Sequence, residues 1–133
     1  DAIELVACDL PREPVHPGEH IALMTLWRVT DPEASGPVPA HDYGRTAAIF
    51  VHLLDQSGQI VGQEDRLDAP AWNWQPYSSF AQLHQVPVNT DVSPGNYRLV
   101  AGLYLRHDMR RLSVVVDGLP AGDHVVLGEV EVK

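Results

Sequence analysis

The sequence predicts an all-β fold, an immunoglobulin-like antiparallel β-sandwich of about eight strands, on three observations. Apolar residues recur with a period of two, and no stretch shows the 3.6-residue period of an amphipathic helix. Turn signals built on Gly, Pro, Asn and Asp recur roughly every 8 to 15 residues. The segment Ser93-Pro94-Gly95-Asn96-Tyr97 reads as a tyrosine corner, in which the ring packs at a sheet end and its hydroxyl bonds nearby backbone. A jelly roll is the other two-sheet arrangement that this pattern allows.

Taken in order, Ile3 to Cys8 forms a first short strand, closed by Asp9-Leu10-Pro11. Pro17-Gly18 makes a turn, because Pro fixes φ and Gly accepts a positive one. His20 to Val29 then places Ile21, Leu23, Thr25 and Trp27 on one face. Its other face, Ala22, Met24 and Leu26, is also apolar, so this strand either lies deep in the fold or has its outer face covered. Asp31 to Tyr43 is a long Pro-rich connection. Thr46 to Asp55 is the most hydrophobic strand, with Ile49, Val51 and Leu53 opposite Phe50, His52 and Leu54. The turn Asp55-Gln56-Ser57-Gly58 leads into a more polar partner, Gln59 to Glu64, in a hairpin.

Asp68 to Ser79 is an aromatic loop, Phe80 to Val88 a strand, and Asn96 to Tyr104 a long strand with Tyr97, Leu99, Ala101 and Leu103 on one face. A charged turn follows at Arg106 to Arg111, then a strand from Leu112 to Val116 and a loop from Asp117 to Asp123. The last strand, His124 to Val132, sets Val126, Val130 and Val132 opposite Val125 and Leu127.

The 133 residues, 44% of them hydrophobic, suffice for one domain with its own core, so residues 1–133 read as a single sandwich. The net charge of −9, with scattered arginines and the single lysine Lys133, provides no basic stripe for nucleic acid. Cys8 has no partner for an internal disulfide and reads as a small packed thiol. There is no run of about 18 apolar residues and hence no membrane-spanning segment in this sequence. The start at Asp1, rather than Met, points to a processed protein or a piece of a larger one.

The run Ile49-Phe50-Val51-His52-Leu53-Leu54-Asp55-Gln56-Ser57-Gly58, then Val61-Gly62-Gln63-Glu64-Asp65, Pro94 to Tyr104, Arg111-Leu112 and Val126-Leu127-Gly128, resembles a known domain. It is similar to the sandwich domain appended to bacterial membrane glycosyltransferases of the protein mannosyltransferase and aminoarabinose transferase group, and to domains of uncharacterised bacterial surface proteins. Pro17-Gly18-Glu19 and Leu26-Trp27-Arg28 fit the same pattern. Trp72-Asn73-Trp74-Gln75-Pro76-Tyr77 replaces the family's Pro-Thr-x-x-Trp run. The resemblance implies a domain on the extracytoplasmic face, excised from a larger membrane protein whose chemistry lies elsewhere. It therefore implies a non-catalytic accessory domain, partnered by the parent membrane protein or another protein through an apolar sheet face.

The alternative is a carbohydrate-binding module. Trp72, Trp74 and Tyr77 could stack on a neutral glycan while Asn73 bonds its hydroxyls, provided that the tryptophans do not fold back over the end of the sandwich. An independent hydrolase is the remote alternative. Glu64, Asp65 and Asp68 supply carboxylates, but their closeness reads as a solvated turn, and the serines sit in turns. No catalytic residue, metal ligand or cofactor is assigned. His16 and His20 are separated by Pro17-Gly18; His41, His84, His107 and His124 read as exposed; and His52 reads as a core or inter-strand histidine.

Overall fold

The computed structural model describes residues 2–32, 47–68, 74–106 and 109–133. Ten strands form two sheets: β1 (Ile3–Asp9), β2 (His20–Val29), β3 (Ala47–Leu54), β4 (Ile60–Arg66), β5 (Ser79–Pro87), β6 (Gly95–Leu105), β7 (Arg111–Leu112), β8 (Val114–Val116), β9 (Leu119–Gly122) and β10 (Val125–Val132). One sheet runs β5-β2-β1-β8-β9; the other runs β10-β6-β3-β4, with β7 paired to β6. The first, second and fifth strands thus face a sheet of the third, fourth, sixth and last, which is the immunoglobulin-like arrangement. Most of the expected 31–43 connection lies outside the described residues.

The alternating patterns become the core directly. Ile21, Leu23, Trp27 and Val29 from β2 meet Ile49, Val51 and Leu53 from β3 and Leu99, Ala101 and Leu103 from β6, all buried. Each Val, Leu or Ile side chain among them contributes about 1.5–3 kcal/mol by leaving water. The tyrosine corner closes as expected, with the Tyr97 hydroxyl donating to the Ser93 carbonyl at 2.6 Å. At the β3–β4 hairpin the Asp55 carboxylate accepts from the Ser57 amide, the Ser57 hydroxyl and the Gln59 amide, and Gly58 takes φ 85°. Those bonds, led by the Ser57 hydroxyl, hold the Asp55 pKa below its ordinary value.

Four expectations are corrected. Leu112 to Val116 is not one strand: the chain leaves β7 in one sheet, passes Ser113, and enters β8 in the other, where it pairs in parallel with β1. The sandwich is therefore not purely antiparallel. The Asp117–Asp123 stretch is not a loop but contains β9, joined to β8 by Asp117 and Gly118 at φ 52° and 76°. Two successive positive φ values match the right-handed twist of a tight hairpin. In β10 a bulge between Val126 and Gly128 shifts the parity, so Val125, Val130 and Val132 point inward while Val126 is 51% exposed. Lastly, His84 is not at an exposed strand end but in mid-β5, 1% exposed.

Candidate functional site

Of the aromatic loop, Trp72 and Asn73 lie outside the described residues. Trp74 is buried and stacks on Phe80, with ring centroids 5.5 Å apart and an interplanar angle of 21°. Its ring therefore belongs to the core and is not offered to a ligand. Tyr77 is 78% exposed on a turn at φ 62°, which a bulky side chain seldom adopts. Ser78 closes that turn by donating from its hydroxyl to the Gln75 carbonyl at 2.7 Å.

The carboxylates Glu64, Asp65 and Asp68 are separated by strand geometry. Successive residues of β4 point to opposite faces, so Glu64 turns toward the interior and Asp65 outward. Glu64 lies 3.3 Å from His84 Nδ1 and accepts from the Gln85 amide at 3.0 Å. Asp68 accepts from Arg66 Nε and Gln82 Nε2 and so has a lowered pKa, with the Arg66 bond the main cause. Glu64 and Asp65 thus lie on opposite faces of β4, while Glu64 and Asp68 both act on the buried His84.

Between the sheets lies a polar chain that sequence reasoning missed. Trp27 Nε1 donates to Thr25 Oγ1 at 2.7 Å, and Thr25 Oγ1 lies 3.0 Å from His84 Nε2. Thr25 Oγ1 accepts from Trp27 with one of its two lone pairs, and the tautomer of His84 with its proton on Nδ1, facing Glu64, is the one in which Nε2 accepts from the Thr25 hydroxyl. Burial pushes the His84 pKa down, against the opposing pull of Glu64. Thr25 is fully buried, so this chain joins β5 to β4 across the sandwich edge rather than presenting a nucleophile. Its only sequence signals are a polar residue in each apolar alternation, Thr25 among Ile21, Leu23 and Trp27, and His84 before Val86.

The outer faces of the two sheets differ. On β5-β2-β1, Leu83 is 66% exposed beside Ala22 and the half-buried Met24, and with Leu10 and Pro11 they line a largely apolar groove of about 400 Å³. On β4-β3-β6, Phe50, Ala48 and Tyr104 form a second small apolar cluster. Arg111 sits over the Phe50 ring at 4.4 Å, His52 packs against it at 4.7 Å between centroids, and Tyr104 donates to Asp65 at 3.0 Å. Gly102 makes room for Phe50, because a Cβ there would lie 2.4 Å from the ring. His52 thus belongs to an outer face and not to the core between the sheets. Burial lowers its pKa, with Arg111 pushing the same way and Asp65 opposing. His124 is exposed immediately before β10, with Nδ1 2.7 Å from Asp123.

Cys8 is half-buried, its thiol 3.9 Å from the Leu127 carbonyl, and burial followed by Asp9 raises its pKa. Among the described residues no helix is long and apolar enough to cross a membrane, and no cluster of three or more His, Cys, Asp or Glu side chains is placed to hold a metal ion. No family model matches the chain, and a search of the curated proteins returns no match.

Proposed function

We propose that the chain is a non-catalytic accessory domain that docks through the outer face of β5-β2-β1 onto the remainder of a bacterial membrane glycosyltransferase-like protein, on its extracytoplasmic side. The observation that carries this reading is the apolar groove around Leu83, Ala22 and Met24. A strand apolar on both faces, as β2 is, keeps hydrophobic area in water unless a second surface covers it. The occupant follows from the resemblance of the core strands and turns to domains appended to such proteins.

The chain's two methionines allow a direct test, since Met24 lines this groove and Met109 is 67% exposed beside the opposite sheet. Oxidative footprinting of the full-length gene product should protect Met24 relative to the isolated domain and leave Met109 reactive. Leu83→Glu should restore Met24 oxidation. Equal oxidation of Met24 in both forms would overturn the reading.

A further inference from the structure

The outer face of β4-β3-β6-β10 carries a polar groove of a different kind, and its chemistry points to a ligand. Two lobes of about 200 Å³ each flank His52 and Arg111, which line both. Together they approach the size of small-molecule sites. One lobe reaches Asp65, Gln63 and Tyr104; the other reaches Leu54, Val100 and His124. The floor is apolar while the walls offer hydrogen-bond partners of both kinds.

Charge selects among ligands. Asp65 lines the first lobe with Arg111, and Asp123 lies 3.5 Å from Arg111 and 2.7 Å from His124 Nδ1. An anion drawn to the guanidinium meets Asp65 beside it, and a cation drawn to Asp65 meets the guanidinium. A neutral ligand with adjacent hydroxyls suits both, donating to the carboxylate and accepting from the planar N–H fork. Its C–H face can lie against Leu54 and the exposed Ile60. We propose that this groove binds a neutral saccharide, held by Asp65 and Arg111. The proposal is independent of the docking reading, which uses the opposite sheet, and it moves sugar recognition away from the aromatic loop.

The test is nuclear magnetic resonance titration of the ¹⁵N-labelled chain with methyl glucoside, methyl galactoside, methyl mannoside, maltose, lactose and cellobiose. Glucuronate and glucosamine serve as charged counterparts. Saturable shifts at the amides of Phe50, His52, Asp65 and Arg111 with a neutral sugar are expected, with weaker binding of both charged ones. Asp65→Asn and Arg111→Lys should each weaken that sugar about tenfold or more, as the loss of one charge-assisted hydrogen bond implies. Tyr77→Ala should leave binding unchanged. Gln63→Ala, on the exposed side of an edge strand, is the further variant if either of the first two loses its native spectrum, and it should also weaken binding. The absence of saturable shifts with every sugar, tighter binding of a charged counterpart, or binding that is lost in Tyr77→Ala alone would each overturn the proposal.

Discussion

The outer faces of the two sheets are built from similar strands but solve the problem of facing water differently. On β5-β2-β1 the apolar side chains Ala22, Met24 and Leu83 stand side by side with little over them. On β4-β3-β6 the large ring Phe50 is only 2% exposed, because Arg111, His52 and Tyr104 surround it and Gly102 lets it lie flat. One face stays apolar and uncovered; the other has built a small core of its own beneath charged and polar groups. Exposure on one face and self-coverage on the other teach where the molecule stores stability and where it holds surface in reserve.

That contrast can be broken most forcefully at its centre. Phe50→Ala should cost about 3 kcal/mol or more in urea unfolding, as a cavity in packed surroundings does, although Phe50 lies outside the main core. Gly102→Ala should cost about 1–3 kcal/mol by overpacking, since the new methyl meets the Phe50 ring and the Asp123 carbonyl. A shift of Phe50 ring resonances would confirm the route. Tyr104→Phe should cost about 1–2 kcal/mol by removing the bond to Asp65.

The pH dependence sharpens the comparison. His84 is held neutral between the sheets, because burial pushes its folded pKa below the ordinary imidazole value of about 6.5. The unfolded chain therefore binds a proton first as pH falls below that value, so stability is full above it and declines below it. His84→Gln should flatten that decline in thermal unfolding curves recorded from neutral to mildly acidic pH. Smallest of all, Leu83→Ala should change stability by no more than about 0.5 kcal/mol, because the side chain is exposed. A loss comparable to that of Phe50→Ala would show that the first face is also covered in the isolated chain.

The fold was legible wherever alternation ran unbroken, as in Ile21 to Val29 and Tyr97 to Leu103, and at the corner set by Pro94, Gly95 and Tyr97. It was misread where one residue changed the parity: the bulge before Gly128 reversed the later half of β10, and Ser113 carried the chain into the other sheet. Asp117-Gly118 is a hairpin signal masked by the residues after it, because Leu119-Pro120-Ala121-Gly122 lacks the composition of a strand. The polar groove was least legible. Its members come from β3, β4, β6, β7 and the start of β10, and only pairings such as Phe50 with Asp65 and Tyr104 with Arg111 bring them together. Aromatic density in Trp72 to Tyr77 is the stronger signal in the sequence, yet Trp74 serves the core.

The parallel pairing of Val15 with Val132 has a mechanical consequence. The Val15 amide donates to Glu131 and the Lys133 amide donates to Val15, which ties the segment after the first strand to the last strand. β1 is itself paired in parallel with β8. A load that drew Val15 and Val132 past each other along the strand direction would pull these two bonds in shear, so that they share the force instead of opening one after another like a zipper.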